Sequence, residues 1–245
     1  MNILINVVII LLYQVIILAV IPITLKLLST LDKELIRKLQ HIGFTSSIFF
    51  LIHLFDEWYE ALIPGGVLII LGFPFLYGLE KTKLYNKLLV DRKKYGGEMK
   101  ISLLLSQLSF TILIITFWGL LGDAFKFVIP VAILSWGIGD ALAAVIGKRY
   151  GKHKNILPGV DQNKTILGSS VMFLSVLLAV FFMLLVYADF EFIYKVILAF
   201  FIAPFATLIE LYSKKGLDTI TLPLGVAFLL LFGVYLLELM IGGLL

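Results

Sequence analysis

The sequence predicts an all-α integral membrane protein, a polytopic bundle of about eight transmembrane helices with both termini outside. Three observations predict it. Of the 245 residues, 61% are hydrophobic, and the mean hydropathy is +1.07, a balance that places the chain in lipid. Apolar runs recur at the roughly 20 residues needed to cross a bilayer. The charges are sorted between alternate linkers, as in a chain threaded back and forth through a membrane.

The apolar runs are 3–25, 42–55, 61–79, 101–121, 125–147, 166–188, 192–212 and 219–243. Run 3–25 has no basic residue before it and no small-residue cleavage pattern after it, so it reads as a retained helix rather than a signal peptide. Run 42–55 is short: it either extends by a turn at each end or is re-entrant, and omitting it leaves seven spans. Pro22, Pro64, Pro74, Pro130 and Pro204 lie in or at the ends of runs, where kinks survive if neighbours satisfy the freed carbonyls. In run 125–147, Gly139, Ala143 and Gly147 recur every fourth residue and Gly151 continues the series. That spacing makes a smooth helix face, against which a second helix packs closely. Runs 101–121, 166–188 and 219–243 are long enough to cross without special pleading.

The charges fix the orientation. Lys26, Lys33, Arg37 and Lys38 follow the first run, and Lys81, Lys83, Lys87, Arg92, Lys93, Lys94 and Lys100 follow the third. Lys148, Arg149, Lys152, Lys154 and Lys164 follow the fifth, and Lys214 and Lys215 the seventh. With eight spans, 18 of the 20 Lys and Arg fall on one side, leaving Lys126 and Lys195 opposite among Asp56, Glu57, Glu60, Asp123, Asp189 and Glu191. The basic side is cytoplasmic by the positive-inside rule. The linker 80–100 is basic enough to form an amphipathic helix on the anionic lipids of the inner leaflet. Residues 1–245 read as one transmembrane domain, without a soluble domain, a low-complexity tract or an internal repeat. The absence of cysteine excludes disulfides, zinc–thiolate sites, iron–sulfur clusters and cysteine nucleophiles, and His41, His53 and His153 lack paired metal-ligand spacing.

Three constellations carry chemistry. Before the second run, Glu34, Arg37, Lys38 and His41 lie at three- and four-residue helical spacing. They form a topology-setting anchor with an internal ion pair, or Arg37 and Lys38 hold phosphates while His41 orients an oxygen. In the fifth run, Asp140 lies about two turns inside the apolar segment, where a carboxylate is costly and so marks function. It pairs with a cation of another helix, or it is a ligand for Mg²⁺, which favours one or two carboxylates with phosphate oxygens and water. Lys164, Thr165, Gly168 and Ser169 open the sixth run, where free N–H groups and the positive helix end suit a phosphate. No Walker A loop is present, and Gly137 and Gly139 do not continue into a dinucleotide fingerprint because position 142 is Leu. Near the end, Glu210 is embedded in an apolar stretch, and Asp218 with Thr219 stands where a helix cap belongs. Topology turns Asp140, Glu210 and Asp218 to one side, where they could form one site.

These residues resemble the family of dolichol kinases, phytol kinases and CTP-dependent diacylglycerol kinases. The motif R-K-x-x-H matches Arg37, Lys38 and His41, and G-D-x-x-A-x-x-x-G-x-x-x-G matches Gly139, Asp140, Ala143, Gly147 and Gly151. K-[ST]-x-x-G-[ST] matches Lys164, Thr165, Gly168 and Ser169, and a late acid before D-[ND]-[LI]-x-x-P looks like Glu210 and Asp218 through Pro223. Thr219 stands where that family usually has Asn or Asp. The motifs cover residues 34–223 in order.

The resemblance implies transfer of the γ-phosphoryl group of CTP to the hydroxyl of a membrane lipid alcohol, a polyprenol or other isoprenoid alcohol or a diacylglycerol, with no nucleic-acid partner. Asp140, with Glu210 or Asp218, would hold Mg²⁺ on the nucleotide. Lys164, with Arg37, Lys38, Lys148 or Arg149, would neutralise phosphoryl oxygens. An acid of that group or His41 would be the base. The setting it implies is a prokaryotic cell membrane with the site on the cytoplasmic face. Related phosphatidate cytidylyltransferases carry a C-terminal signature of basic and acidic residues that is missing here. A transporter is the alternative from another class, favoured by acids spread through the bilayer and a two-fold repeat, which the sequence lacks.

Overall fold

The computed structural model of the chain describes residues 2–83, 85, 90, 97–160, 164–213 and 216–242. These are helical almost throughout, the β contact among them being an isolated antiparallel bridge between Lys154 and Thr165. Seven of the helices are long and apolar enough to cross a membrane. The chain divides into two compact units, Met1–Ile115 and Thr116–Leu245.

The first unit contains α1 (Ile3–Leu28), α2 (Lys33–Thr45), α3 (Ser47–Leu54), α4 (Trp58–Glu80) and the first turns of α5 (Glu98–Leu120). The expected second span is the pair α2–α3. Their junction follows from side-chain hydroxyls: Thr45 and Ser46 both donate to Ile42 O at 2.9 Å, competing with the backbone ladder. The pair nevertheless runs antiparallel along α1. Asn6 Nδ2 donates to Leu54 O, Tyr13 OH to Gly43 O at 2.8 Å, and Gln40 Nε2 to Leu18 O at 2.9 Å. From Gln40 to Leu54 the helical rise is roughly 20 Å, so α2–α3 runs beside about half the length of α1. Neither α2 nor α3 alone is of span length, so the described helices long enough to cross number seven, and the expected eighth crossing is the broken pair α2–α3. The amphipathic helix expected across 80–100 lies largely outside the described residues.

Two π turns, Ile16–Val20 and Leu68–Gly72, widen α1 and α4. Each is followed closely by a proline, Pro22 or Pro74, whose ring displaces the carbonyl four residues back and removes a donor. For Pro22 that carbonyl is Leu18 O, and the Gln40 amide satisfies it, as lipid requires.

The second unit takes in the end of α5, a short 3₁₀ turn at Asp123–Phe125, and α6 (Val128–Tyr150), α7 (Ile166–Tyr187), α8 (Phe192–Tyr212) and α9 (Asp218–Ile241). Helix α6 packs on α7 and α9, and α8 closes the ring between them. Every residue of α6 from Val128 to Gly137 is buried, whereas Leu174, Phe182, Phe200, Phe228 and Phe232 turn outward, a surface that suits hydrocarbon. The small-residue face of α6 meets α7, as its spacing predicts. A methyl built on Gly139 would lie 2.9 Å from Met172 Sδ, and one on Gly147 would lie 3.0 Å from Gly168 Cα. At the Asp123 end, Lys126 Nζ sits 3.5 Å from the centre of the Trp118 ring, while Trp118 Nε1 donates to Asp123 Oδ1 at 2.6 Å. An aromatic and a cation locked together in this way suit the membrane–water boundary.

Candidate functional site

The second unit gathers its polar residues where α6 ends and α7 begins. The small residues of α6 bring the two helices close, and the loop between them folds back on itself. Asn155 N donates to Lys164 O at 2.9 Å, and Ile166 N donates to His153 O at 3.0 Å. This hairpin fixes Lys164 and Thr165 at the mouth of α7. The Thr165 hydroxyl caps the helix, accepting from Gly168 N at 3.1 Å, and approaches Gly147 O at 3.4 Å. The N–H groups of Ile166 and Gly168 are therefore engaged within the protein. Thr165 and Gly168 serve capping and close packing in this state. Ser169 is held by a residue that the sequence does not single out, Asn155, whose Nδ2 donates to Ser169 Oγ at 3.0 Å. Asn155 sits in a loop without periodicity, so no local pattern marks it.

Lys164 is held at three points. Its ammonium reaches Glu210 O, Ser213 O at 3.2 Å and Glu210 Oε1 at 2.9 Å. An ammonium has three donors, and these three acceptors use them all. Two are carbonyls at the end of α8, the negative end of that helix, where a cation is favoured. Glu210 is buried and carries the matching charge. Lys164 and Glu210 thus join the start of α7 to the end of α8, a contact across 46 residues of sequence.

Asp140 is half-buried in α6, beside fully packed Gly139 and Ala141. Seven residues separate it from Gly147, or roughly 10 Å of helix rise. It therefore lies two turns deeper than the level at which Gly147 meets Thr165. Asp218 occupies the first turn of α9, favourable for a carboxylate. It is not the expected cap: Leu217 holds that position and no side chain caps the helix. Among the described residues no three acids or histidines converge to hold a metal, so Asp140, Glu210 and Asp218 are not a preassembled triad. Lys148 and Arg149 are exposed in the last turn of α6, placed to meet an anion.

A methyl on Gly151 would collide with Gly147 O and the Thr165 hydroxyl. Gly151→Ala is therefore expected to cost about 1–3 kcal/mol by overpacking, read as a lower unfolding temperature in detergent. An unchanged temperature would show that the loop yields.

In the first unit, Arg37 donates to Glu34 Oε1 at 2.7 Å and to Glu98 Oε1 at 3.5 Å. The Glu34 pair is the one the spacing predicts; Glu98, 61 residues away, is visible only in the fold. Lys38 is buried. Arg37 and His41 line a cavity of about 330 Å³ whose other walls are mostly apolar. Close by, Glu80 pairs with Lys100 at 2.5 Å and accepts from Gly97 N at 2.8 Å, tying the end of α4 to the start of α5.

No family model matches the chain, and no solved structure matches it. It is similar to a phytol kinase from Synechocystis sp., with 29% identity over 212 residues, covering 85% of this chain and 83% of that protein.

Proposed function

We propose that this multi-pass membrane protein, similar in sequence to a phytol kinase, transfers the γ-phosphoryl group of CTP to the hydroxyl of a membrane lipid alcohol. Kinship with a phytol kinase supports lipid alcohol kinase activity at the level of the family. The observation that carries the reading to this chain is the Lys164–Glu210 pair at the mouth of α7, with Asp140 two turns deeper in α6. A cation at the membrane edge and an acid inside it suit a ligand that bears phosphates at one end and reacts inside the bilayer.

Phosphoryl transfer asks the protein mainly to position its reactants and to neutralise charge. Lys164 would exchange its carbonyl partners on α8 for phosphate oxygens, and exposed Lys148 and Arg149 would add charge nearby. Asp140, with Asp218 or Glu210, would hold Mg²⁺ on the triphosphate, where the ion would offset the negative charge of the phosphoryl oxygens. The lipid hydroxyl oxygen attacks the γ-phosphorus, the bond to the bridging oxygen breaks, and CDP departs. The hydroxyl proton passes to a carboxylate of the acid group or to water. The side bearing Lys148, Arg149 and Lys164 is the cytoplasmic one on this reading, in a prokaryotic cell membrane.

The test is a transfer assay of the purified full chain with Mg²⁺, a panel of isoprenoid alcohols and diacylglycerol, and CTP labelled in either the α or the γ position. Label from the γ position alone should enter the lipid, and ATP should support it less well. Label from the α position in the lipid would mean cytidylyl transfer instead. No label in any lipid would overturn the kinase reading.

A further inference from the structure

We propose that the cavity of the first unit binds the lipid alcohol itself, taking its hydrocarbon chain along α1 and α4 and its hydroxyl at Arg37 and Glu98. This rests on the kinase reading for the identity of the substrate, but the cavity argues for its occupant by its own chemistry.

The walls are graded. On α2 the lining residues run inward from Arg37 through His41 to Phe44, on α4 from Leu79 to Leu68, and on α5 from Glu98 to Ser106. The charged residues Arg37 and Glu98 thus share one end with Leu79, and Phe44 and Leu68 share the other. Phe44 stacks on Phe110, with ring centres 5.5 Å apart, which backs the deep end with aromatic carbon. This grading fits an amphiphile with a small polar head. At about 330 Å³ the space lies at the lower end of the range for small-molecule pockets, so it suits the head and first isoprene units of a long chain.

A neutral head suits these groups. Arg37 already pairs with two carboxylates, Glu34 and Glu98, so its guanidinium charge is engaged within the protein. A hydroxyl suits the place because it both accepts and donates. Arg37 Nε is a buried donor with no hydrogen-bond partner among the described residues, and it can give its proton to the hydroxyl oxygen. The hydroxyl can in turn donate to the Glu98 carboxylate.

The chain has a way in. Val15 on α1 and Phe75 on α4 line the cavity and are also 48% and 67% exposed, so the cavity communicates with the outer apolar surface of both helices. Its walls include Leu18 and Ala19 from one π turn and Leu68 and Gly72 from the other. The widened turns that the prolines impose therefore fall where space is needed, and such turns recur at functional sites.

The experiment is photolabelling of the full chain in vesicles with a twenty-carbon isoprenoid alcohol bearing a diazirine on its chain, followed by peptide mapping. Label should concentrate in residues 15–44 and 68–106, and unlabelled alcohol should displace it at least tenfold better than its phosphate ester does. Ala19→Phe and Gly72→Leu, which project carbon into the space, should raise the KM for the alcohol at least tenfold without changing the KM for the nucleotide. A methyl on Gly72 meets only Leu68 and Leu103 at ordinary contact distances, 3.5 and 3.6 Å, so the fold tolerates the start of that side chain. Label confined to residues 116–242, or equal displacement by the phosphate ester, would overturn the proposal. Labelling needs no turnover, so labelling of this cavity by an inactive enzyme would refute the kinase reading and leave the binding site standing. Active enzyme labelled elsewhere would do the reverse.

Discussion

Asp140→Asn is expected to abolish phosphoryl transfer, lowering kcat by roughly 10³-fold or more, while the protein folds and inserts as before. The replacement keeps the shape of the side chain and removes its charge. The backbone around it is unaffected, because Gly139 and Ala141, which flank it, make the packing contacts of this stretch of α6. An acid whose work is to hold an ion on phosphate loses that work with its charge, and extra Mg²⁺ should restore little of the rate. An acid that serves only to pair with a cation on a neighbouring helix gives the opposite signature. Its loss would lower the unfolding temperature and leave kcat near normal, and that outcome would remove Asp140 from the metal assignment. Asp140→Glu separates charge from placement: a carboxylate moved by one methylene should recover only a small part of the rate, since position is as important as charge in such a site.

Much of this architecture is legible in the sequence, for physical reasons that also mark where legibility stops. A helix must bury or lipidate about 20 residues to cross, so seven spans stand out as apolar runs. The glycine and alanine face of α6 is equally legible, because four-residue spacing fixes one side of a helix whatever its partner turns out to be. The pair α2–α3, the expected eighth crossing, is harder to read. It breaks where Thr45 and Ser46 bond to Ile42 O, a choice between hydroxyl and backbone that no hydropathy window records. The candidate site is legible in its members and illegible in its pairings. Lys164 with Glu210 and Arg37 with Glu98 are contacts across 46 and 61 residues, set by how the helices stack and not by spacing along one of them. The acceptors of two N–H groups at the start of α7, His153 O and the Thr165 hydroxyl, are equally hidden, because the returning loop supplies them. The π turns before Pro22 and Pro74 lie between these cases, since the prolines are plain in the sequence but the widened turns, and the cavity beside them, appear only in the fold.

The Lys164–Glu210 pair carries the second large effect. Lys164→Met should lower both activity and stability, because it removes the ammonium that pairs with buried Glu210 and bonds Glu210 O and Ser213 O at the end of α8. Breaking one side of a fully buried pair costs about 3–5 kcal/mol. The Lys164 side chain is 20% exposed and that of Glu210 12%, so a figure near 2–3 kcal/mol is appropriate here, or roughly 5–10 °C in unfolding temperature. Glu210→Gln should cost less, since the ammonium keeps both carbonyls. The informative variant is the double change Lys164→Met with Glu210→Leu. Replacing a buried pair with apolar side chains of similar volume is often neutral, so much of the lost stability should return. Activity should not, because the cation that would meet the phosphates is gone. A double variant that regains both would make the pair a clamp between α7 and α8 and nothing more. Loss of activity with stability restored, seen as a raised KM for nucleotide together with a reduced kcat, would place Lys164 on the phosphates.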